Sequence, residues 1–141
     1  MSSNDDRNEK TEARDGRDRM NRLQAVWRLH AQHPDVIEAP GDSDIDLEAL
    51  QLEVFWFQSH VCALLDDREE SELRSSFATV HQLLLEGDRD VRDAIAHHFA
   101  IPELICHPDL AWAQERMPPL LSELVAGVKR AHEKFFEKHR E

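Results

Sequence analysis

The sequence predicts an all-α protein, a single-domain antiparallel helical bundle or short helical stack of about five helices. Two observations carry this prediction. Only 4 glycines and no tyrosine occur in 141 residues, and β-branched residues are few, whereas sheet architectures draw on turn glycines and β-branched strands. Apolar residues also recur three and four positions apart through successive stretches separated by charged or proline-bearing turns, which is the period of an amphipathic helix.

Residues 1–18 are almost all charged or small polar and lack periodicity, so a disordered N-terminus is expected. Residues 19–141 form the helical domain. Over 19–32, Met20, Leu23, Val26, Trp27 and His30 fall at helical spacing, a short helix closed by Pro34. Residues 33–43, with two prolines and a Gly-Asp pair, read as a linker, and residues 44–141 hold the core helices. The first core helix starts at a cap on Ser43 or Asp44 and reaches Leu65. Leu47, Leu50, Val54, Phe57, Val61, Leu64 and Leu65 form its stripe. Phe55, Trp56 and Cys62 widen that stripe, which predicts a central helix contacted from more than one side.

Ser71 is the candidate cap of the second core helix, whose inward positions are Leu73, Phe77, Val80, Leu84 and Leu85. Gly87 suits a left-handed C′ position at its end. Asp88 caps the third, with Val91, Ala94, Ile95 and Phe99 inward. Residues 101–117 read as short irregular helical turns, and Pro118-Pro119 suit the first turn of a last helix. That helix has a stripe of Leu120, Leu121, Leu124, Val128, Ala131 and Phe135. Lys129, Arg130, Lys134, Lys138 and Arg140 give its end the sign the helix dipole favours. Short connections predict antiparallel neighbours.

Acidic residues outnumber basic ones 29 to 17, a formal charge of −12. That argues against nucleic acid and against an anionic membrane as partners, since both demand a basic face. No apolar run reaches 18 residues and the N-terminus has no apolar stretch, so neither a membrane span nor a signal peptide is expected, and the expected location is the cytoplasm. Cys62 and Cys106, both in apolar surroundings, read as reduced, buried thiols.

Motifs that carry chemistry are missing from the pattern. His60 and Cys62 stand about 200° apart on a helix, unsuited to sharing an ion. His97 and His98 diverge likewise, and Cys106-His107 lacks a paired ligand motif. There is no HExxH, CxxC, Gly-x-Ser-x-Gly or glycine-rich phosphate loop. Ser59-His60 are adjacent on a helix and point apart. No catalytic residue, metal ligand or cofactor is therefore expected. Only a convergence of His60, His81 and His97 would favour the alternative of a small metal-dependent enzyme.

Charge is unevenly spread. Residues 44–103 contain fourteen acids and four bases, while residues 104–141 balance to zero. Two turns concentrate the excess: Asp66, Asp67, Glu69, Glu70 and Glu72 in one, Glu86, Asp88, Asp90 and Asp93 in the next. Some of these complement helix N-termini. Nine acids against Arg68, Arg89 and Arg92 exceed that need, which points to an acidic contact surface that attracts a basic partner.

The stretch LEVFWFQSHVCALLDDREESELRSSFATVHQLLLEGDRDVRDAIAHHF resembles bacterial immunity proteins of polymorphic toxin systems. An aromatic-rich helix leads into an acidic turn, then a helix ending HQLLLEGD, then DVRDAIAHHF. The resemblance covers about residues 45–100. It implies a cytoplasmic inhibitor that binds a cognate toxin, basic in many such systems, and blocks it without catalysis. In that reading the acidic turns steer the encounter, and Trp56 and Trp112 are candidate anchors. The protein alone would be a monomer or homodimer. A helical adaptor or regulator without a toxin partner is the alternative.

Overall fold

The computed structural model describes residues 19–138; the predicted disordered stretch 1–18 and Arg140 lie outside them. Seven helices occur among the described residues: α1 (Arg22–Gln32), α2 (Leu47–Asp66), α3 (Glu70–Glu86), α4 (Arg89–His98), α5 (Pro102–Ile105), α6 (Leu110–Gln114) and α7 (Pro119–Lys138). The two beyond the expected five are the short turns α5 and α6, which fall where prolines fragment the chain.

Helix α2 packs on α3 and α4, α1 lies across all three, and α7 covers α3 and α5. The core these helices share is apolar apart from the buried side chains of Gln58, Ser76 and Thr79. Phe57, Phe77 and Phe99 are fully buried with Leu50, Leu65, Leu73, Leu83 and Ile95 around them, and the Phe57 and Phe99 rings stack with centroids 6.5 Å apart. Such closely packed aromatic burial dominates core energetics.

Several helix boundaries differ from the sequence expectation, each for a physical reason. Asp46, not Ser43 or Asp44, caps α2 by accepting from the Ala49 N–H at 2.8 Å. Helix α3 begins at Glu70 without a side-chain cap, one residue ahead of Ser71, because the same turn closes α2. The Arg68 N–H bonds the Leu65 carbonyl and the Glu69 N–H bonds that of Leu64, while Arg68 takes a left-handed φ of 49°. This is the Schellman closure, normally given to glycine. Asp88 does cap α4, through the Val91 N–H.

Gly87 is not left-handed. Its φ of −70° and ψ of 153° are extended, and it pairs with Met20. The Met20 N–H donates to the Glu86 carbonyl and the Asp88 N–H donates to the Met20 carbonyl, both at 2.8 Å. Residues 19–20, expected in the first helix, instead clamp the α3–α4 corner in extended form. The linker likewise contributes to the core, since Ile37 is buried within it. The cysteines are free; Cys62 is half-buried and Cys106, expected to be buried, is exposed. No described helix is long and apolar enough to cross a membrane.

Candidate protein-binding surface

The two acidic turns lie at opposite ends of α3. Its 17 residues place them roughly 25 Å apart at 1.5 Å per residue, so they do not form one patch.

Most of these acids have structural partners. At the α3–α4 corner, Asp90 pairs with Arg22 at 3.1 Å, Glu86 with Arg28 at 3.7 Å and Asp93 with Arg89 at 3.8 Å. Asp88 serves as the α4 cap. Arg19 donates to the carbonyls of Leu85 and Gly87 in the same corner. The acidity here anchors the N-terminal arm.

At the α2–α3 turn, Asp66 accepts from His107 Nε2 at 2.6 Å. The Asp109 N–H donates to Nδ1 of that ring, which fixes the proton on Nε2. Arg68 bonds Asp109 at 2.8 Å, and this bond holds the Asp109 carboxyl below its ordinary range. Glu70 is held low chiefly by its bond to Arg74, with Arg116 nearby at 3.3 Å. Asp67, Glu69 and Glu72 have no ion pair among the described residues.

Trp112 belongs to this network. Its ring is half-buried, with the Arg116 guanidinium 3.9 Å and the Arg68 guanidinium 4.9 Å from its centroid. Cation–π contacts of this kind tie the turn to α6, and they occupy the ring that the sequence offers as an anchor.

Trp56 stands differently. It is 53% exposed, beside Leu52 at 53% and Phe55 at 37%, and the Phe55 and Trp56 rings meet edge to face at 5.9 Å. These side chains lie on α2 at positions i, i+3 and i+4, opposite the buried stripe Leu50, Val54, Phe57 and Val61. The expectation that Phe55 and Trp56 widen the core is thus corrected: α2 is covered on its inner side, and its outer side carries a second apolar stripe. A shallow groove of about 500 Å³ runs along it, lined in part by Leu52, Phe55, Glu48 and His98. Leu52 was not singled out by sequence reasoning. The signal was present in its spacing from Phe55 and Trp56, on the side of the helical wheel away from the core.

Acids border this face. Asp46 and Glu48 line the groove. Glu53 is half-buried, and burial together with the Glu38 carboxylate pushes its carboxyl above the ordinary range.

The histidines do not gather as a metal site would require. His60 approaches His33, with ring centroids at 6.5 Å, and no group of three or more His, Cys, Asp or Glu able to hold a metal occurs among the described residues. Fold and surface together define a class: a small all-helical protein with acidic corners and an exposed aromatic face. No family model, curated protein or solved structure matches the chain.

Proposed function

We propose that this chain is a non-catalytic protein-binding inhibitor, an immunity protein that neutralises a cognate basic toxin by docking it on the outer face of α2. The observation that carries the reading is the exposed trio Leu52, Phe55 and Trp56, bordered by Asp46, Glu48 and Glu53. Aromatic anchors in a contact centre carry most of the energy of a typical interface. An acidic border selects a cationic partner and raises its association rate. The toxin class rests on the resemblance of residues 45–100 to immunity proteins.

The test is co-purification with the product of any neighbouring gene that encodes a toxin domain, followed by binding kinetics. Phe55→Ala and Trp56→Ala should each speed dissociation at least tenfold, a loss of about 1.4 kcal/mol or more. Asp67→Ser with Glu69→Ser should slow association at low salt and leave dissociation unchanged. Dissociation that ignores both aromatic truncations sinks the α2 surface, and a neighbour with no affinity for the chain sinks the inhibitor reading.

A further inference from the structure

A second feature lies away from the α2 outer face. Where the C-terminus of α1 meets α2 and α3, a cleft of about 340 Å³ is lined by His33, Asp35, His60, Glu72, Ser75 and Ser76 among others. None of its lining residues is a lysine or arginine.

The hydrogen bonds around His33 fix what the cleft offers. The Thr79 hydroxyl donates its one proton to the Ser75 carbonyl at 3.1 Å, so its 3.2 Å contact with His33 Nε2 requires Nε2 to be the donor. Nδ1 is then a bare lone pair on a ring that lines the cleft. Burial and the neighbouring His60 lower the His33 pKa, outweighing Glu72, so the ring is neutral near pH 7. Ser76 Oγ is fully buried, yet has no hydrogen-bond partner. A buried hydroxyl without a partner is costly and rare in folded proteins, and here it sits in the wall of a cavity.

The end of α1 contributes in the same sense. Pro34 has no N–H for the His30 carbonyl, and no described backbone N–H closes on the carbonyls of Ala31 or Gln32. Such a terminus bears partial negative charge. With two carboxylates, a neutral imidazole acceptor and an unbonded hydroxyl, the cleft presents acceptors and negative potential and neither lysine nor arginine.

We infer that this cleft binds a compact organic cation rich in N–H donors, an alkylguanidinium or alkylammonium head group. Glu72 and Asp35 supply the countercharge, and Ser76 Oγ and His33 Nδ1 accept from its N–H groups. The head group can arrive on a free amine or on an arginine or lysine side chain; the inference does not depend on how the outer face of α2 is used.

The experiment is a titration of the full chain with methylguanidinium, followed by the imidazole NMR signals of His33 and His60. Saturable shifts of His33 are expected with millimolar affinity, as befits so small a ligand. Tetramethylammonium, which has charge and no donor, should leave these signals in place. Glu72→Gln, an exposed position, should weaken binding about tenfold or more, and Ser76→Ala several-fold, as lost hydrogen bonds to a charged group do. An N-acetylarginine amide that binds more tightly than agmatine assigns the head group to a protein side chain; the reverse order assigns it to a free amine. No shift of His33 at about 50 mM methylguanidinium overturns the inference. So does equal response to tetramethylammonium, or affinity indifferent to Glu72→Gln.

Discussion

Gly87 and Gly127 should respond to alanine with opposite signs. A Cβ at Gly87 would lie 2.4 Å from the Leu83 carbonyl oxygen, 2.5 Å from Val91 Cγ1 and 2.7 Å from Val91 Cβ. The first of these atoms is backbone, and it accepts the Gly87 N–H itself at 2.9 Å, so no side-chain rotation relieves the clash. The corner must open, which strains the two Met20 bonds that clamp it. Overpacking of this kind costs about 1–3 kcal/mol, and each weakened hydrogen bond adds about 1. Against this, alanine restricts the unfolded chain by about 0.4–1 kcal/mol. The net loss for Gly87→Ala is therefore about 2–4 kcal/mol. At Gly127, within α7, the nearest atom is Arg130 Nη2 at 3.9 Å, and the helix gains about 0.5–1 kcal/mol. Urea unfolding followed by circular dichroism, with the slope checked for constancy, measures both. A Gly87→Ala midpoint at or above that of the wild type would refute the close-approach account of this corner.

Four further outcomes follow from the same geometry. Replacing Leu52, Phe55 and Trp56 together by serine should shift stability by less than about 1 kcal/mol, while Phe57→Ala loses about 3–5; thermal melts that show a large loss for the triple variant would place those rings in the core. His33 has a folded pKa below its unfolded 6.5, so the unfolded chain takes up the proton first, and stability present above pH 6.5 should fall as pH drops below it. His33→Gln should flatten that slope in pH-dependent unfolding. Glu53, held above the ordinary range by burial and Glu38, has the opposite sign: stability should fall as pH rises through its folded pKa, and Glu53→Gln should stabilise the protein at pH 7. Cys62, its pKa pushed up to about 11, should react with iodoacetamide at pH 8 far more slowly than the exposed Cys106, as read by peptide mass analysis.

Local patterns in the sequence were a reliable guide where one helix decides its own fate. Asp88 followed by Val91, Ala94 and Ile95 specifies a cap and an inward face with no help from elsewhere, and α4 forms there. Prolines at 102, 118 and 119 bound the short turns for the same reason. What escaped depends on contacts distant in sequence. Arg68 adopts a glycine-like φ because Asp109 and Trp112, over forty residues away, hold its side chain. Gly87 is required by the approach of Val91 and the pairing with Met20, not by its own conformation. The aromatic run of α2 was legible as a helix, but which of its rings face inward turns on where α1, α3 and α4 sit. The cleft at His33 had no signature at all, since its walls come from three helices.

The charge pattern gains a different meaning once partners are assigned. At the α3–α4 corner Asp90 answers Arg22 and Glu86 answers Arg28, so part of the acidic excess over residues 44–103 is an intramolecular match with bases of the N-terminal segment. Acids without an ion pair among the described residues lie elsewhere: Asp67, Glu69 and Glu72 at the opposite corner, Asp35 at the cleft, and Glu48 and Glu53 along the outer face of α2. Glu53 is the more telling, because partial burial and, second to it, the Glu38 carboxylate push its carboxyl above the ordinary range. Under the proposed function, a cation brought by the partner would relieve the repulsion at Glu53 and cover the apolar trio in the same step, which favours this strip of α2 over the acidic turns as the docking face.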